Sequence, residues 1–308
     1  MVAEPALSPE LRRPLILVAT DFSRAADAAL RWAAAIAEEH GASMLLLHAL
    51  PLYGATADYL PSPPEMEEHL RGAAVERLGN LAGEISPEIA VETRLEIGLP
   101  SQTVVEAARA HAADLVVVGS RGLSNLAHVL LGSTAERIVQ RAPCPVLVVH
   151  PDDERHRPVR TILVPTDFSP ASRRAAAAAE NWLSRLEAPV RLVLLHAFHL
   201  PVEYTAYGAV PTSLHFAQDA GERAEESLAT LAAELRRDGL TVDTLAREGY
   251  PPETIVAVAR EIDVDVIALG THGRTGLRHL LLGSNAERVV QKAGCPVLTV
   301  RLKEDEEG

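Results

Sequence analysis

The same series of short motifs occurs twice, in the same order, along this chain of 308 residues. Residues 17–23, LVATDFS, return as residues 163–169, LVPTDFS, at an offset of 146 residues. The glycine-rich stretch that begins at Gly119 returns at Gly270, at an offset of 151 residues. A repeat of this length has the size of a domain and not of a solenoid unit, so the chain is predicted to fold as two copies of one domain.

The domain boundaries follow from the repeat and from the stretch between its copies. Residues 151–158, PDDERHRP, are mostly charged and contain no apolar run. They predict a linker between a first domain at residues 1–150 and a second at residues 159–302. Residues 303–308, KEDEEG, predict a solvated acidic tail,.

Each half alternates apolar runs of strand length with longer stretches of helical pattern. In the first half, strands are predicted at residues 14–20, 43–49, 90–96, 114–119 and 144–150,. Helices are predicted from an N-cap at Ser23 to about His40, and at residues 65–84, 100–112 and 132–142,. The proline-rich residues 51–64 and the corresponding residues 198–213 predict loops,. Strands that alternate with helices predict parallel sheets covered by helices on both faces.

Composition argues against several classes of partner. The net charge of −13 disfavours binding to nucleic acid or to anionic membrane surfaces, both of which need a basic footprint,. No apolar run reaches the length of about 18 residues that a membrane helix needs. The sequence starts without a basic leader followed by an apolar region, so a cytoplasmic location is expected,. Cys144 and Cys295 occupy matching places, which fits buried thiols in a reducing compartment,. No cluster of His, Cys, Asp and Glu has metal-ligand spacing, so no protein-held metal is expected.

A glycine motif follows the fourth predicted strand of each half. Both copies keep the spacing G-x-x-G, nine residues, then G-S, and they begin at Gly119 and Gly270. Glycines let the backbone approach a ligand closely, and a Gly-Ser pair opening a helix offers unpaired N–H groups where the helix dipole favours negative charge. The motif therefore predicts an anion site, whereas turn and cap chemistry that only forms the fold is the alternative.

Polar residues end the first and second strands of each half. Asp21 and Asp167 end the first strand, and in an open parallel sheet this edge binds ligands where the strand order reverses,. A carboxylate there would accept a hydrogen bond from a base or a ribose, and capping of the next helix is the alternative role. His48 and His196 follow apolar strands, which favours hydrogen-bonded core histidines over catalytic ones.

Taken together, these motifs resemble the universal stress protein family in its tandem two-domain form. The resemblance extends over residues 14–150 and 159–301, and includes TDFS, LLHA, the glycine spacing and the closing segments AERIVQRAPCPVLVV and AERVVQKAGCPVLTV. It implies an adenine-nucleotide alpha-hydrolase-like fold, with a five-stranded sheet of order 3-2-1-4-5 in each half. It also implies pairing through the fifth strands, as a pseudo-dimer within one chain, and leaves a homodimer of chains open.

The ATP-binding branch of this family implies a nucleotide site in each half, for ATP, ADP or AMP, with Mg²⁺ arriving on the phosphates. In the first half the matching positions are Ala19, Asp21, Ala49, Val118, Gly119, Arg121, Gly122, Gly132, Ser133 and Thr134. In the second half they are Pro165, Asp167, Ala197, Leu269, Gly270, His272, Gly273, Gly283, Ser284 and Asn285. The family often has proline two residues before the aspartate, so Ala19 is a departure that concerns the affinity of the first site.

Three functions remain open at this point. The resemblance implies a stress protein that binds ATP and acts through its conformation or through a partner protein not identified by the sequence. The alternatives are a slow ATPase or nucleotide hydrolase, and an interaction module that binds no nucleotide. No Walker lysine precedes Ser133 or Ser284, where glycine stands instead, and no catalytic residue is assigned,.

Overall fold

The fold is taken from a computed structural model. It describes residues 13–51, 64–122, 131–153, 158–183, 186, 189–199, 202–205, 208–211, 214–235, 239–271 and 282–302. The first half contains β1 (Leu15–Thr20), α1 (Arg24–His40), β2 (Ser43–Leu50), α2 (Pro64–Gly83), β3 (Val91–Ile97), α3 (Pro100–Ala110), β4 (Leu115–Gly119), α4 (Ser133–Arg141) and β5 (Val146–Val149). The second half contains β6 (Thr161–Pro165), α5 (Pro170–Leu183), β7 (Val190–Phe198), β8 (Val202–Thr205), β9 (Gly208–Pro211), α6 (Leu214–Glu234), β10 (Leu240–Glu248), α7 (Pro251–Glu261), β11 (Val266–Gly270), α8 (Ser284–Lys292) and β12 (Val297–Val300).

The two halves share one ten-stranded sheet. Its order is β10-β7-β6-β11-β12-β5-β4-β1-β2-β3, so each half has the predicted order 3-2-1-4-5. Strands of this sheet that belong to the same half pair in parallel, whereas β5 and β12 pair antiparallel at the seam, with Leu147 opposite Leu298. Thr299 Oγ1 also donates a hydrogen bond to the Val146 carbonyl across the seam, at 3.1 Å. The predicted pairing through the fifth strands is confirmed within the chain, and the two predicted sheets are the halves of one continuous sheet.

One predicted loop contains regular structure. Within residues 198–213, β8 and β9 form an antiparallel hairpin in which Val202 pairs with Pro211 and Thr205 with Gly208. Only two residues separate the paired ends, which is the loop length of the tightest β-hairpins. Both strands are shorter than an average strand, and the sequence of β9, GAVP, does not alternate apolar and polar residues,.

Two apolar layers cover the faces of the sheet and run without interruption across the seam. Alternate residues of each strand enter opposite layers, as Ile16 and Leu17 of β1 do,. The helices α1, α2, α5 and α6 contribute to one layer, and α3, α4, α7 and α8 to the other. Because both faces are covered, the sheet edge at the ends of the strands is where polar residues can meet a ligand.

Helix α1 lies unusually close to the sheet because its buried face is mostly alanine. Ser23 caps its N-terminus, and Gly41 ends it at φ 60°, in the left-handed conformation that glycine tolerates best,. A Cβ atom added at Gly119 would lie 2.7 Å from the carbonyl carbon of Ala25. Gly270 has the same relation to Ala171 of α5, also at 2.7 Å. The strand end and the helix start are thereby held together in both halves.

Candidate functional site

The TDFS motif forms a tight turn between the first strand and the first helix. Thr20 Oγ1 accepts a hydrogen bond from the Phe22 N–H at 3.0 Å, and Asp21 Oδ1 accepts one from the Ser23 N–H at 3.0 Å. Ser23 Oγ then accepts the Ala26 N–H at 3.3 Å, as the predicted N-cap. These bonds stabilise Phe22 at φ 62°, a conformation that costs a non-glycine residue roughly 1–3 kcal/mol,. The second half repeats the turn, with Phe168 at φ 64°.

Asp21 connects this turn to the glycine loop. One carboxylate oxygen serves the turn, and a Cβ atom added at Gly122 would lie 2.6 Å from the other, Oδ2. A side chain at residue 122 would therefore collide with the carboxylate. The two motifs face one crevice at the ends of β1 and β4, which are neighbours in the sheet. A role for Asp21 in the turn and a role toward a ligand are compatible, because they use different oxygens.

Gly119 contributes to the crevice in another way than the sequence suggests. The sequence predicts that its missing side chain lets the backbone approach a ligand. Its backbone does line the crevice, but an added Cβ would point at the Ala25 backbone. Packing against α1 is therefore the reason for glycine at this position, and the same holds for Gly270 and Ala171.

The N-terminus of α4 points its free N–H groups into the same crevice. Gly132 is the N-cap residue and donates its own N–H to the Ser120 carbonyl at 2.8 Å, which ties the helix start to the end of β4. No side chain caps the helix, and within the described residues the Ser133 and Thr134 N–H groups have no acceptor. Unpaired N–H groups at a helix start are a ready site for an anion.

These elements enclose a cavity of about 520 Å³ in the first half. All ten positions that the family resemblance implied line it: Ala19, Asp21, Ala49, Val118, Gly119, Arg121, Gly122, Gly132, Ser133 and Thr134. Their contact with a nucleotide remains a prediction, but the fold brings them together in one place.

The second half encloses a corresponding cavity of about 480 Å³. Eight of the ten implied positions line it: Pro165, Asp167, Ala197, Leu269, Gly270, Gly283, Ser284 and Asn285. The other two, His272 and Gly273, lie outside the described residues. The start of α8 repeats that of α4, since Gly283 donates its N–H to the Thr271 carbonyl at 2.8 Å and no side chain caps the helix.

A comparison with known protein families also finds the same unit twice in this chain. The model of the universal stress protein family matches residues 14–150 and 158–301. The chain belongs to the universal stress protein family. Each match spans one half of the ten-stranded sheet, so the family domain occurs twice in tandem.

Whole-length relatives share this tandem arrangement. A universal stress protein of Mycolicibacterium smegmatis is 32% identical over 298 residues, which cover 93% of this chain and 96% of that protein. One of Mycobacterium tuberculosis is 31% identical over 299 residues, with the same coverage of both chains. The crystal structure of a universal stress protein from Archaeoglobus fulgidus has the same fold, with a TM-score of 0.69 and 22% identity over 93% of this chain and 98% of that one.

Three side chains that line the first universal stress protein site were not predicted as part of that site, although His48 was expected as a core histidine. Phe22 and His48 line the cavity with their rings 4.5 Å apart, and the Arg77 guanidinium of α2 lies 4.3 Å from the centre of the Phe22 ring. Arg77 brings a fixed positive charge to the rim. Its place on the exposed side of an amphipathic helix gives no signal in the sequence, since most such arginines are solvated.

The strand-end histidines are hydrogen-bonded as predicted. His48 Nδ1 lies 2.8 Å from the Thr20 carbonyl, and His196 Nδ1 lies 2.7 Å from the Thr166 carbonyl. A carbonyl only accepts, so Nδ1 carries the hydrogen in both rings. His48 is half-buried and also faces the cavity, which makes it part of the wall as well as of the core.

His150, at the end of β5, connects the first site to the second half. Burial lowers the pKa of His150 below its ordinary value, and the nearby Arg121 guanidinium lowers it further. The hydrogen bond from its ring to the Val290 carbonyl of α8 and the Asp152 carboxylate act in the opposite direction and are weaker than burial. The folded protein therefore holds this histidine neutral beside Arg121 of the first site.

We expect the stability of the chain to fall as the pH drops below about 6.5, the ordinary value for histidine. The unfolded state takes up a proton on His150 at that pH, whereas the folded state does so only at a lower pH, so protonation favours unfolding,. Thermal melts of His150→Gln, which keeps a donor but cannot titrate, should show a smaller loss of Tm between pH 7.5 and pH 5.5. The exposed His69, replaced in the same way, serves as the control. Equal pH dependence in wild type and His150→Gln would contradict the expectation.

The described part of this universal stress protein contains neither a candidate membrane helix nor a candidate metal cluster. No helix there is long and apolar enough to cross a membrane. No group of three His, Cys, Asp or Glu side chains in the same ranges is arranged to hold a metal ion.

Proposed function

We propose that this universal stress protein binds an adenine nucleotide in each half and acts through nucleotide-dependent contacts with a partner protein. The observation that carries the proposal is the convergence around one cavity, twice in one chain, of a carboxylate, the glycine that ends the fourth strand and an uncapped helix N-terminus. The volumes, about 520 and 480 Å³, lie within the range of small-molecule sites in proteins,.

The chemistry of the lining suits the parts of a nucleotide. The unpaired N–H groups and hydroxyls of Ser133 and Thr134 are donors for phosphate oxygens, and Arg121 adds a positive charge beside them,. Asp21 Oδ2, which faces Gly122 of the glycine loop, suits a ribose hydroxyl or a base amino group. Ala49 and Ala197, each one residue before the end of β2 or β7, have the smallest chiral side chain and leave room for a base. Mg²⁺ would reach the site with the phosphates, because the described walls offer no cluster of ligands for it,.

The same lining favours binding over turnover. The proposed phosphate end consists of backbone N–H groups, hydroxyls and a guanidinium, none of which is a general base at neutral pH. The one carboxylate near it, Asp21, already accepts the Ser23 N–H with one oxygen. Fast hydrolysis would need a group that orients water against the terminal phosphate. A signal carried by the bound nucleotide is therefore the function that we infer for this chain.

The proposal is tested by the nucleotide that the protein carries. Freshly purified protein is denatured, the chain is removed, and the released compounds are identified and counted by chromatography. We expect close to two adenine nucleotides per chain. About one would assign binding to one half, with the Ala19 half as the weaker. Absence of nucleotide, together with no heat on titration with ATP and Mg²⁺, would contradict the proposal.

A further inference from the structure

A third cavity lies at the seam between the halves and is larger than either proposed nucleotide site, with a volume of about 590 Å³. We call it the seam cavity. It lies at the amino end of β5, where residues 143–145 form one wall, and at the carboxyl end of β12, where residues 300–302 form another. The helices α3, α4 and α5 close it. No residue lines both the seam cavity and one of the two nucleotide cavities.

The charge of the seam cavity is opposite to that of the chain. Four arginines line it, Arg109, Arg141, Arg174 and Arg301, and no aspartate or glutamate does among the described residues. The chain as a whole has a net charge of −13. Arginine presents a planar fork of donors that suits phosphate and carboxylate groups. The four guanidiniums give this cavity a positive charge, although the chain as a whole is acidic.

Most of this charge is not balanced by the protein. Arg109 Nη2 donates to the Arg141 carbonyl at 3.5 Å, and within the described ranges no carboxylate pairs with Arg109, Arg141 or Arg301. Cys144 also lines the cavity, but burial and the nearby Asp114 raise the pKa of its thiol to about 12. The thiol is therefore neutral at physiological pH and adds no negative charge.

At the matching place in the other half, a carboxylate balances part of the positive charge. There Arg260 Nη2 donates to the Lys292 carbonyl at 3.5 Å, as Arg109 does to Arg141. Lys292 Nζ, however, pairs with Glu253 at 3.0 Å. The residue of α3 that corresponds to Glu253 of α7 is Gln102, which is neutral. The duplicated fold thus keeps the backbone arrangement and lacks the compensating carboxylate on one side only.

The two sides also differ in how the space is filled. Trp32 of α1 is 3% exposed and packs in the apolar layer of the sheet. The residue that occupies its position in α5 is Ala178, which lines the seam cavity. An alanine in place of an indole leaves open space beside Arg174, one turn earlier on α5,.

We propose that the seam cavity binds a small polyanion that carries at least two phosphate groups. Several phosphates are needed because a single anionic group cannot pair with the guanidiniums of Arg109, Arg141 and Arg301, which stand on two helices and at a strand end,. The ligand contacts both halves, since Arg109 and Arg141 belong to the first and Arg174 and Arg301 to the second. Binding would therefore hold the two halves together, next to the place where β5 and β12 pair.

The test is calorimetric titration of the full chain with inorganic triphosphate at low salt. Arg109→Ala and Arg301→Ala are compared with Arg260→Ala, which removes the same contact from the matching place. We expect each of the first two changes to weaken binding roughly 10- to 100-fold, because each removes charged hydrogen bonds. Arg260→Ala should bind as the wild type does. Triphosphate that binds Arg109→Ala and Arg301→Ala with wild-type affinity, or that loses as much affinity in Arg260→Ala, would overturn the proposal.

Two further variants test where the triphosphate binds and whether phosphate or carboxylate is the preferred anion. Ala178→Trp copies Trp32 and fills the cavity without removing a charge, so one bound triphosphate per chain should be lost while the nucleotide count per chain stays unchanged. Binding that survives this change counts against the seam cavity. Residues 304–307, EDEE, come two to five positions after the cavity residue Leu302 in the sequence and carry four carboxylates. Replacing these four acids by their amides should leave triphosphate affinity equal or higher if phosphate is the ligand, whereas lower affinity would contradict it.

Discussion

Replacement of Gly119 by alanine is expected to lower Tm by roughly 3–5 °C. The added methyl carbon would lie 2.7 Å from the carbonyl carbon of Ala25, within the backbone of α1, and a helix backbone cannot move aside as a flexible side chain can. Overpacking of this kind costs about 2–3 kcal/mol, which corresponds to this loss of Tm in a chain of such size. Scanning calorimetry of the purified variant measures it. Gly270→Ala should have the same effect through Ala171.

The matched control is Gly132→Ala, the same chemical change in the same crevice. A Cβ atom there would lie 3.4 Å from its nearest neighbour, the Ser120 carbonyl oxygen, and the backbone has an extended conformation open to any residue. We expect its Tm to stay close to that of the wild type. Equal melting of Gly119→Ala and Gly132→Ala would contradict the close approach of α1 to the end of β4.

The arrangement of strands and helices could be predicted because local signals agree with the fold. Buried parallel strands such as β4 are continuous apolar runs, and a glycine can mark the end of a helix,. Gly41, for example, ends α1 in the left-handed conformation. The strand order and the pairing across the seam could not be predicted in this way. No local pattern contains them, and they came from the resemblance to universal stress proteins, which the sheet topology then confirmed.

The parts that could not be predicted depend on which groups face each other across space. A glycine is required both where a backbone approaches a ligand and where it approaches a helix, so the sequence alone could not distinguish these roles at Gly119. The structure assigns the closest contact to Ala25. Arg77 reaches the first site from α2, 56 residues after Asp21, and only the packing of the helix over the crevice brings the two together.

The seam cavity was missed for a related reason. Its arginines are spread from Arg109 to Arg301, and each stands among ordinary surface charges in the sequence. Antiparallel pairing of β5 with β12 brings the start of one strand beside the end of the other, and this alone places the four side chains around one space. Aligning the two halves shows Ala178 at the position of Trp32, but the alignment does not reveal that the difference opens a cavity.

The largest effect on function is expected from Gly132→Val and Gly283→Val. A Cβ atom at Gly132 already touches the glycine loop, at 3.5 Å from the Arg121 Cα atom, so the two additional methyl groups of valine must displace the loop or enter the cavity. In both cases a phosphate loses the Ser133 and Thr134 N–H groups. Loss of two hydrogen bonds to a charged group, at about 1.5–3 kcal/mol each, weakens binding roughly 100-fold or more in that half.

The two halves serve as controls for each other in this experiment. Each single variant should retain about one nucleotide per chain after purification, and the double variant should retain none. Far-UV circular dichroism should be unchanged, because the extended backbone at both glycines accommodates valine. Gly132→Ala tests whether every side chain at this position disrupts binding or only a large one. Its methyl group makes only ordinary van der Waals contact, so this variant should keep most of the affinity. Two nucleotides bound by a well-folded double variant would show that the phosphates lie elsewhere, and the role proposed for the two helix N-termini would be wrong.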